Sequence, residues 1–155
     1  MTKNHIVAIL MLASSFSFAA PFTCVPMKVK VVNHHLVLEG ASASTPQGQL
    51  YFFKNTSKQS LWLDRLNKKE SASAGWSSYL RPTNWTALLL DKKEFTLSCA
   101  VLTPGKVDYV NCGQAISVCT PAHAALTTNH KGSYWVAEDL PWDVFVKMLS
   151  KRGVK

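Results

Sequence analysis

The sequence lacks the patterns that define several classes of protein. Charged residues make up only 17% of its 155 residues, against 47% hydrophobic residues. This balance argues against a disordered chain and favours a packed globule. No internal repeat and no motif of the kind that reads nucleic acid occurs, so a nucleic-acid partner is not expected. Cys-x-x-Cys, a common signature of zinc sites, is also missing, and no motif implies a cofactor.

Apolar residues are concentrated near the N-terminus. Lys3 precedes the unbroken apolar run Ile6–Leu12, and small and apolar residues continue up to Pro21. This is the pattern of a secretory signal peptide, and its length of about 15 mostly apolar residues falls short of the ~20 that span a bilayer. Ser17 and Ala19 supply the small side chains that a signal peptidase requires, so we predict cleavage after Ala19. The sequence thus predicts an exported, soluble protein, periplasmic or extracellular, with no transmembrane segment in the mature chain.

Residues 20–155 are sufficient for one hydrophobic core, and we predict a single domain. The formal net charge of the full sequence is +8. Summed positive charge attracts polyanions without specific contacts, so an anionic envelope polymer is a candidate partner. The lysine pairs at 68–69 and 92–93 are each followed by a glutamate, however, and this dilution favours solubility as the simpler interpretation of the charge.

Most of the mature chain consists of short β-branched and aromatic runs separated by turn-forming residues. This spacing predicts an all-β fold, an antiparallel, Ig-like β-sandwich. A short polar turn separates the runs 49–54 and 60–66, which predicts a hairpin, and the polar run 67–78 is expected to form a surface loop. The predicted strands occupy residues 22–32, 36–38, 49–54, 60–66, 85–90, 95–102, 107–110, 115–119 and 133–137.

The C-terminal segment changes from the period of a strand to that of a helix. Leu140, Val144 and Met148 recur every four residues, which predicts an amphipathic helix over about 140–152. Asp139 is placed to cap the start of this helix, and basic residues near its end complement the helix dipole. Because anionic lipid would repel the acidic start, we expect the helix to pack against the domain rather than on a membrane surface.

All four cysteines lie beyond the predicted signal peptide. An even number of cysteines in an exported protein predicts disulfides, which would leave no thiolate for catalysis or metal binding. Of the three possible pairings we favour Cys112–Cys119, which closes a short loop, together with Cys24–Cys99, which closes a long one and so restricts the unfolded chain most. The alternative joins Cys99 to Cys112 across a hairpin with its turn at 103–106.

No catalytic constellation is recognisable. Gly75-Trp76-Ser77-Ser78-Tyr79 is the nearest approach to a nucleophile elbow, but its fifth residue is tyrosine instead of glycine and no predicted strand precedes it. Asp64 is the best candidate acid of a glycan- or peptidoglycan-acting enzyme, with His123 or His130 as a helper. An ion pair between Asp64 and the adjacent Arg65 is a sufficient structural explanation, so we predict that the protein is not an enzyme.

The histidines offer a further alternative. His34 and His35 are adjacent and would point to opposite faces of a strand, so only the fold could bring one of them near His123 and His130. Imidazole suits both copper and zinc. Solvated loop histidines are commoner than ligands, and we predict no bound metal.

The aromatic residues give the most informative pattern. Trp62 and Trp135 lie within predicted strands and are interpreted as core residues. Two other tryptophans flank a segment that contains a tyrosine and an arginine, and these residue types are enriched in binding interfaces. The competing interpretation is a flap in which the two tryptophans cover one end of the core. The candidate binding residues are Trp76, Tyr79, Arg81 and Trp85.

Several segments of the central chain are similar to those of a known family. They are Phe53-Lys54-Asn55-Thr56-Ser57, Leu61-Trp62-Leu63-Asp64, Ala74-Gly75-Trp76-Ser77-Ser78, Asn84-Trp85-Thr86-Ala87-Leu88 and Phe95-Thr96-Leu97-Ser98-Cys99. These moderately specific motifs, which extend over half of the mature chain, resemble the enhanced-entry protein EnhB family of intracellular bacteria of the Legionella and Coxiella type. The resemblance implies a periplasmic or envelope protein that is associated with virulence through the invasion of host cells. It brings no catalytic residues.

Together these patterns predict a non-enzymatic, disulfide-stabilised envelope protein that binds another envelope component. The expected partner is an envelope protein or an anionic envelope polymer. Two alternatives stay open, a glycan- or peptidoglycan-acting envelope enzyme and a periplasmic copper- or zinc-binding protein.

Overall fold

The computed structural model describes residues 23–40, 48–66, 77–90, 94–122, 134–152 and 154. The predicted signal peptide, Trp76, His123 and His130 lie outside these ranges. Within them the strands are β1 (Cys24–Pro26), β2 (Lys30–Val32), β3 (His35–Glu39), β4 (Gln49–Asn55), β5 (Leu61–Arg65), β6 (Ser77–Leu80), β7 (Trp85–Leu90), β8 (Glu94–Thr103), β9 (Lys106–Val110), β10 (Ile116–Pro121) and β11 (Tyr134–Leu140), and the helices are α1 (Cys112–Ala115) and α2 (Trp142–Lys151).

The strands form two antiparallel sheets. The first sheet has the order β1-β10-β4-β7-β11, and the second has the order β2-β3-β8-β5-β6, with β9 paired to the C-terminal half of the long strand β8. The side chains of the second sheet that alternate inward, such as Leu61 and Leu63, share one buried cluster with Phe53 and Leu88 of the first sheet. The two sheets therefore pack face to face, which confirms the predicted antiparallel β-sandwich.

The first sheet is buried on both faces. Phe52 and Leu89 point away from the sandwich core and belong to a second cluster with Phe145 and Leu149 of α2. A strand that is covered on both sides consists of consecutive apolar residues rather than alternating ones, and this explains the buried runs of β4 and β7. The predicted C-terminal helix is confirmed, and it packs on the domain as expected. The outer face of the second sheet, by contrast, is not covered by a helix of the described residues.

The predicted hairpin of 49–54 and 60–66 is wrong. Both runs are strands, but β4 lies in the first sheet and β5 pairs with β6 and β8 in the second. The fully buried Asn55 holds the connection, because its amide Nδ2 donates to the carbonyls of Gln59 and Leu80 at 2.8 Å and its Oδ1 accepts from the Ser57 amide at 2.9 Å. The turn residues after Asn55 thus cross between sheets instead of reversing a single hairpin.

Two other predicted elements differ from the structure. The run predicted as one strand over 22–32 is divided into β1 in the first sheet and β2 in the second. Met27 and Val29 of the crossing segment pack on the core, so the predicted alternation holds there, whereas Val31 in β2 is exposed. Residues 77–80, of which 77–78 were expected to be loop, form the strand β6 because they pair with β5.

The favoured disulfide pairing is wrong, and the alternative bridge is correct. The structure joins Cys99 to Cys112, with Cα atoms 5.4 Å apart, and Cys24 to Cys119, with Cα atoms 5.6 Å apart. Cys112 belongs to the cluster between the sheets, whereas Cys119 belongs to the cluster beneath α2. Because these two thiols lie on opposite faces of the first sheet, the short loop between them could not be closed. The neighbouring strands β1 and β10 place Cys24 beside Cys119 instead.

Candidate functional site

Of the candidate binding residues, Trp76 lies outside the described residues, and Tyr79 and Trp85 lie in different sheets. Tyr79 lies between the buried residues Ser78 and Leu80 in β6, and 47% of its surface is exposed on the outer face of the second sheet. Trp85 begins β7 in the first sheet and packs against the cluster beneath α2. The structure therefore does not bring Tyr79 and Trp85 into one surface, although only five residues separate them.

Trp85 belongs to an aromatic cluster that attaches the start of α2 to the first sheet. Its ring centroid lies 4.5 Å from that of Trp142 and 5.8 Å from that of Phe145. The ammonium group of Lys54 lies 5.7 Å from the Trp85 ring centroid, a cation–π distance. These contacts give Trp85 a packing role beneath α2.

Arg81 lies where the two sheets meet. Its Nε donates to Oδ2 of Asp139 at 2.6 Å, and its backbone amide donates to Oδ1 of the same carboxylate at 2.8 Å. Asp139 was expected to cap α2, but Pro141 occupies the N-cap position without a side-chain hydrogen bond, because the carboxylate is bound to Arg81. A shallow cleft of about 400 Å³ adjoins this ion pair and is lined by Ser60, Arg81, Pro82, Asn84 and Pro141.

The outer face of the second sheet carries a row of aromatic residues that the sequence interpretation did not find. Tyr79 of β6 is directly opposite Trp62 of β5, Trp62 is opposite Ala100 of β8, and Ala100 is opposite Tyr109 of β9. Residues at matching register positions in adjacent antiparallel strands project from the same face. These four residues, three of them aromatic, are called here the aromatic row and cross four strands in a line.

The two tyrosines at the ends of the aromatic row are open to solvent, whereas Ala100 is only 3% exposed. Tyr109 is 67% exposed, and Trp62, which was interpreted as a core residue, is only half-buried because Leu61 and Leu63 on either side of it take the inward positions. The alternation Leu61-Trp62-Leu63 was the available signal that Trp62 points outward. Tyr109 gave no comparable signal, since its place beside Ala100 depends on the β8–β9 register.

The surroundings of the row combine apolar and polar groups. The His35 ring packs edge-on against Tyr109, with centroids 6.5 Å apart. Leu102 and Val107, an exposed cross-strand pair two register positions from Ala100 and Tyr109, extend the apolar surface along the same face. Asp64 follows Trp62 by two residues in β5 and thus shares its face.

A second cleft of about 270 Å³ opens near the ends of β3 and β8. Its lining consists of Met27, Lys28, Val29, Lys30, Val37, Glu39, Tyr51 and Glu94. Burial raises the pKa of Tyr51, whose hydroxyl donates to the Glu39 carbonyl oxygen at 2.6 Å. The hydroxyl is thus a neutral structural donor, and it has no base to activate it among the contacts that the structure shows.

Among the described residues, the candidates for an enzyme or a metal site are Asp64, His34 and His35, and their contacts do not form a catalytic arrangement. Asp64 accepts a hydrogen bond from the backbone amide of Arg65 at 2.8 Å, and the Arg65 guanidinium lies 5.5 Å from the Phe95 ring centroid. His34 is exposed in the turn before β3, while His35 packs on Tyr109. Across the ranges that the structure describes, no three side chains of His, Cys, Asp or Glu lie together as a metal site would require.

Comparisons with known proteins identify no relative. No protein-family model, no curated protein and no solved structure matches the chain. Among the helices of the described residues, none is long and apolar enough to cross a membrane. The functional interpretation therefore depends on the geometry of the aromatic row.

Proposed function

We propose that this protein is exported and acts, without catalysis, by binding another component of the bacterial envelope through the aromatic row. The observation that carries the proposal is the alignment of Tyr79, Trp62 and Tyr109 across the outer face of the second sheet. Export is supported by the two disulfides, because such bridges persist in oxidising compartments and are rare in the cytosol.

The outer face of the second sheet exposes apolar residues that packing of the fold does not require. An antiparallel sheet with one solvated face normally alternates apolar residues inward with polar residues outward. Here the outward positions include Tyr79, Leu102, Val107 and Tyr109, all exposed. Contiguous exposed apolar residues mark interaction sites, and tyrosine and tryptophan carry a large share of binding energy in interfaces.

The described residues of the binding surface predicted from the sequence have different roles in this proposal. Tyr79 stays a binding residue, Arg81 fixes the end of its strand through Asp139, and Trp85 packs beneath α2. Trp62 and Tyr109 replace Trp85 as partners of Tyr79. The resemblance to the EnhB family supports a role for this protein in the invasion of host cells.

Co-sedimentation with envelope fractions tests this function. The mature protein, purified with its disulfides formed, would be mixed with purified cell wall, outer membrane or inner membrane and centrifuged. We expect the wild type to sediment with one fraction and the Tyr79→Ala/Tyr109→Ala variant to stay in the supernatant. Trp142→Ala is the matched control, since it removes a 40% exposed aromatic ring from helix α2 on the other side of the molecule. Equal sedimentation of the double variant and the wild type would show that the row is not the binding surface.

A further inference from the structure

We infer that the ligand of the aromatic row is a linear, uncharged glycan whose sugar rings lie across strands β6, β5, β8 and β9. This inference rests on the proposed function, because it names the chemical class of the envelope component that the row binds. It follows from the chemistry of the row, its spacing and the charges beside it.

The chemistry of the row matches that of a sugar ring. A sugar ring has C–H groups on its faces and hydroxyl groups around its rim. The face of an aromatic ring is the negative end of its quadrupole and attracts the slightly positive hydrogens of C–H groups. Tyrosine adds a hydroxyl that can hydrogen-bond to the rim, and Asp64, on the same face as Trp62, offers carboxylate oxygens as acceptors. A surface of apolar ring faces bordered by hydrogen-bond acceptors is therefore suited to binding a sugar.

The spacing of the row matches a chain rather than a single sugar. Neighbouring strands lie ~4.8 Å apart, so the three steps from Tyr79 to Tyr109 cover about 14 Å at the backbone. Ala100 has no ring and is only 3% exposed, so the accessible part of the row is formed by the rings of Tyr79, Trp62 and Tyr109. Sheet twist turns each strand by about 20–25° relative to the next, and rotation about glycosidic bonds allows consecutive sugars to follow this turn. An extended oligosaccharide can therefore contact both ends of the row.

Charge favours a neutral ligand over an anionic polymer. The four residues of the row carry no charge. Arg81, which follows Tyr79 by two residues, is already paired with Asp139 at 2.6 Å, and Lys106, which alternates to the opposite face of β9 from Tyr109, is paired with Asp108 at 2.6 Å. An anionic ligand would have to compete with these carboxylates and would also approach Asp64. A neutral glycan meets no such cost.

The geometry also fixes Tyr109 before a ligand arrives. Its strand β9 pairs with β8, the bridge from Cys99 of β8 to Cys112 of α1 ties down the chain just after β9, and its ring packs against His35. Preorganised aromatic rings lose little conformational freedom on binding, so more of the stacking energy is retained as affinity. Removal of the Tyr109 ring should accordingly weaken glycan binding.

Titration with defined oligosaccharides tests the inference. Cellohexaose and chitohexaose are extended, neutral, β-1,4-linked probes, and maltohexaose is an α-linked control of equal length that coils. We expect calorimetry and tryptophan fluorescence to show binding of at least one β-linked probe and weaker binding of maltohexaose. Tyr79→Ala and Tyr109→Ala should each raise the Kd about tenfold, whereas Tyr109→Phe, which keeps the ring, and Trp142→Ala should not. Because Tyr109 is 67% exposed, its variants keep the test valid if Tyr79→Ala fails to fold.

The outcomes separate this inference from the proposed function. If the wild type binds none of the hexasaccharides but still sediments with an envelope fraction in a manner that depends on Tyr79 and Tyr109, the glycan class is wrong and the row binds another component, such as a protein. If neither binding nor sedimentation depends on the row, both proposals fail. Equal affinity for the α-linked and β-linked probes would overturn the match to an extended chain.

Discussion

The side chain of Arg81 donates from Nε to Oδ2 of Asp139 at 2.6 Å and so connects the end of β6 in the second sheet to an irregular part of β11 in the first. Asp139 has φ +48°, a left-handed conformation that is uncommon outside glycine. Its Oδ1 accepts from the Arg81 amide and from the buried Asn84 side chain, each at 2.8 Å. These hydrogen bonds stabilise the bend that leads into α2.

Substitution of Asp139 should be more destabilising than substitution of Arg81. Asp139→Ala leaves the buried Asn84 amide without this acceptor, and we expect it to lower the free energy of unfolding by about 1–3 kcal/mol. Arg81→Ala removes a side chain that is 60% exposed, and an exposed ion pair contributes only about 0–1 kcal/mol. Asp139→Asn, which keeps an acceptor and tolerates positive φ, should fall between them. Urea denaturation measures all three, and equal costs for Arg81→Ala and Asp139→Ala would contradict this assignment.

The two disulfides should differ in what they contribute. Cys24–Cys119 closes a sequence separation of 95 residues and Cys99–Cys112 one of 13. In the loop-entropy picture these contribute about 4–5 and about 3 kcal/mol. We therefore expect Cys24→Ala/Cys119→Ala to lower the urea midpoint more than Cys99→Ala/Cys112→Ala. Non-reducing peptide mapping of the wild type should show only these two links, and a 112–119 linked peptide would contradict the structure.

The fold class followed from the sequence because it depends on local patterns. Alternation and apolar runs identified β4, β7, β8 and β10, and the four-residue period identified α2. These signals come from neighbouring residues and from burial of one face, which a single sequence records directly. A single sequence does not show in the same way which sheet a strand belongs to. The polar turn after Asn55 reads like a hairpin turn, and only its long-range hydrogen bonds show that it crosses between sheets.

The site was harder to predict for the same reason. Trp76, Tyr79, Arg81 and Trp85 were grouped because they are close in sequence. Successive strands of a sandwich can lie in different sheets, so closeness along the chain did not put Tyr79 and Trp85 on one face. Tyr109 joins Tyr79 and Trp62 only through the pairing of β6, β5, β8 and β9. The favoured cysteine pairing was wrong for a similar reason. It was based on loop length, whereas the observed pairing depends on which strands are adjacent.

The contact between α2 and the first sheet gives a further stability prediction. Phe145 is fully buried and meets Phe52 edge-on, with ring centroids 5.2 Å apart. Phe145→Ala should cost about 3–5 kcal/mol because it leaves a cavity beneath the helix. Trp142→Ala, which removes a ring that is 40% exposed, should cost far less. Urea denaturation compares the two variants, and a small loss for Phe145→Ala would mean that the helix does not contribute to the folded core.

Tyr51 predicts how stability changes at alkaline pH. Burial raises its pKa above the ordinary value of 10.0, and the nearby Glu39 carboxylate adds to the rise. Below pH 10 the hydroxyl is protonated in both states, and its contribution to stability is fully present. As the pH rises above 10, the unfolded state loses this proton first, so the free energy of unfolding falls until the pH passes the raised pKa of the folded state. Tyr51→Phe has no proton to lose at this position. Urea denaturation of both proteins from about pH 9 to about pH 11 should show the wild type losing stability relative to Tyr51→Phe, and parallel pH profiles would contradict the assignment.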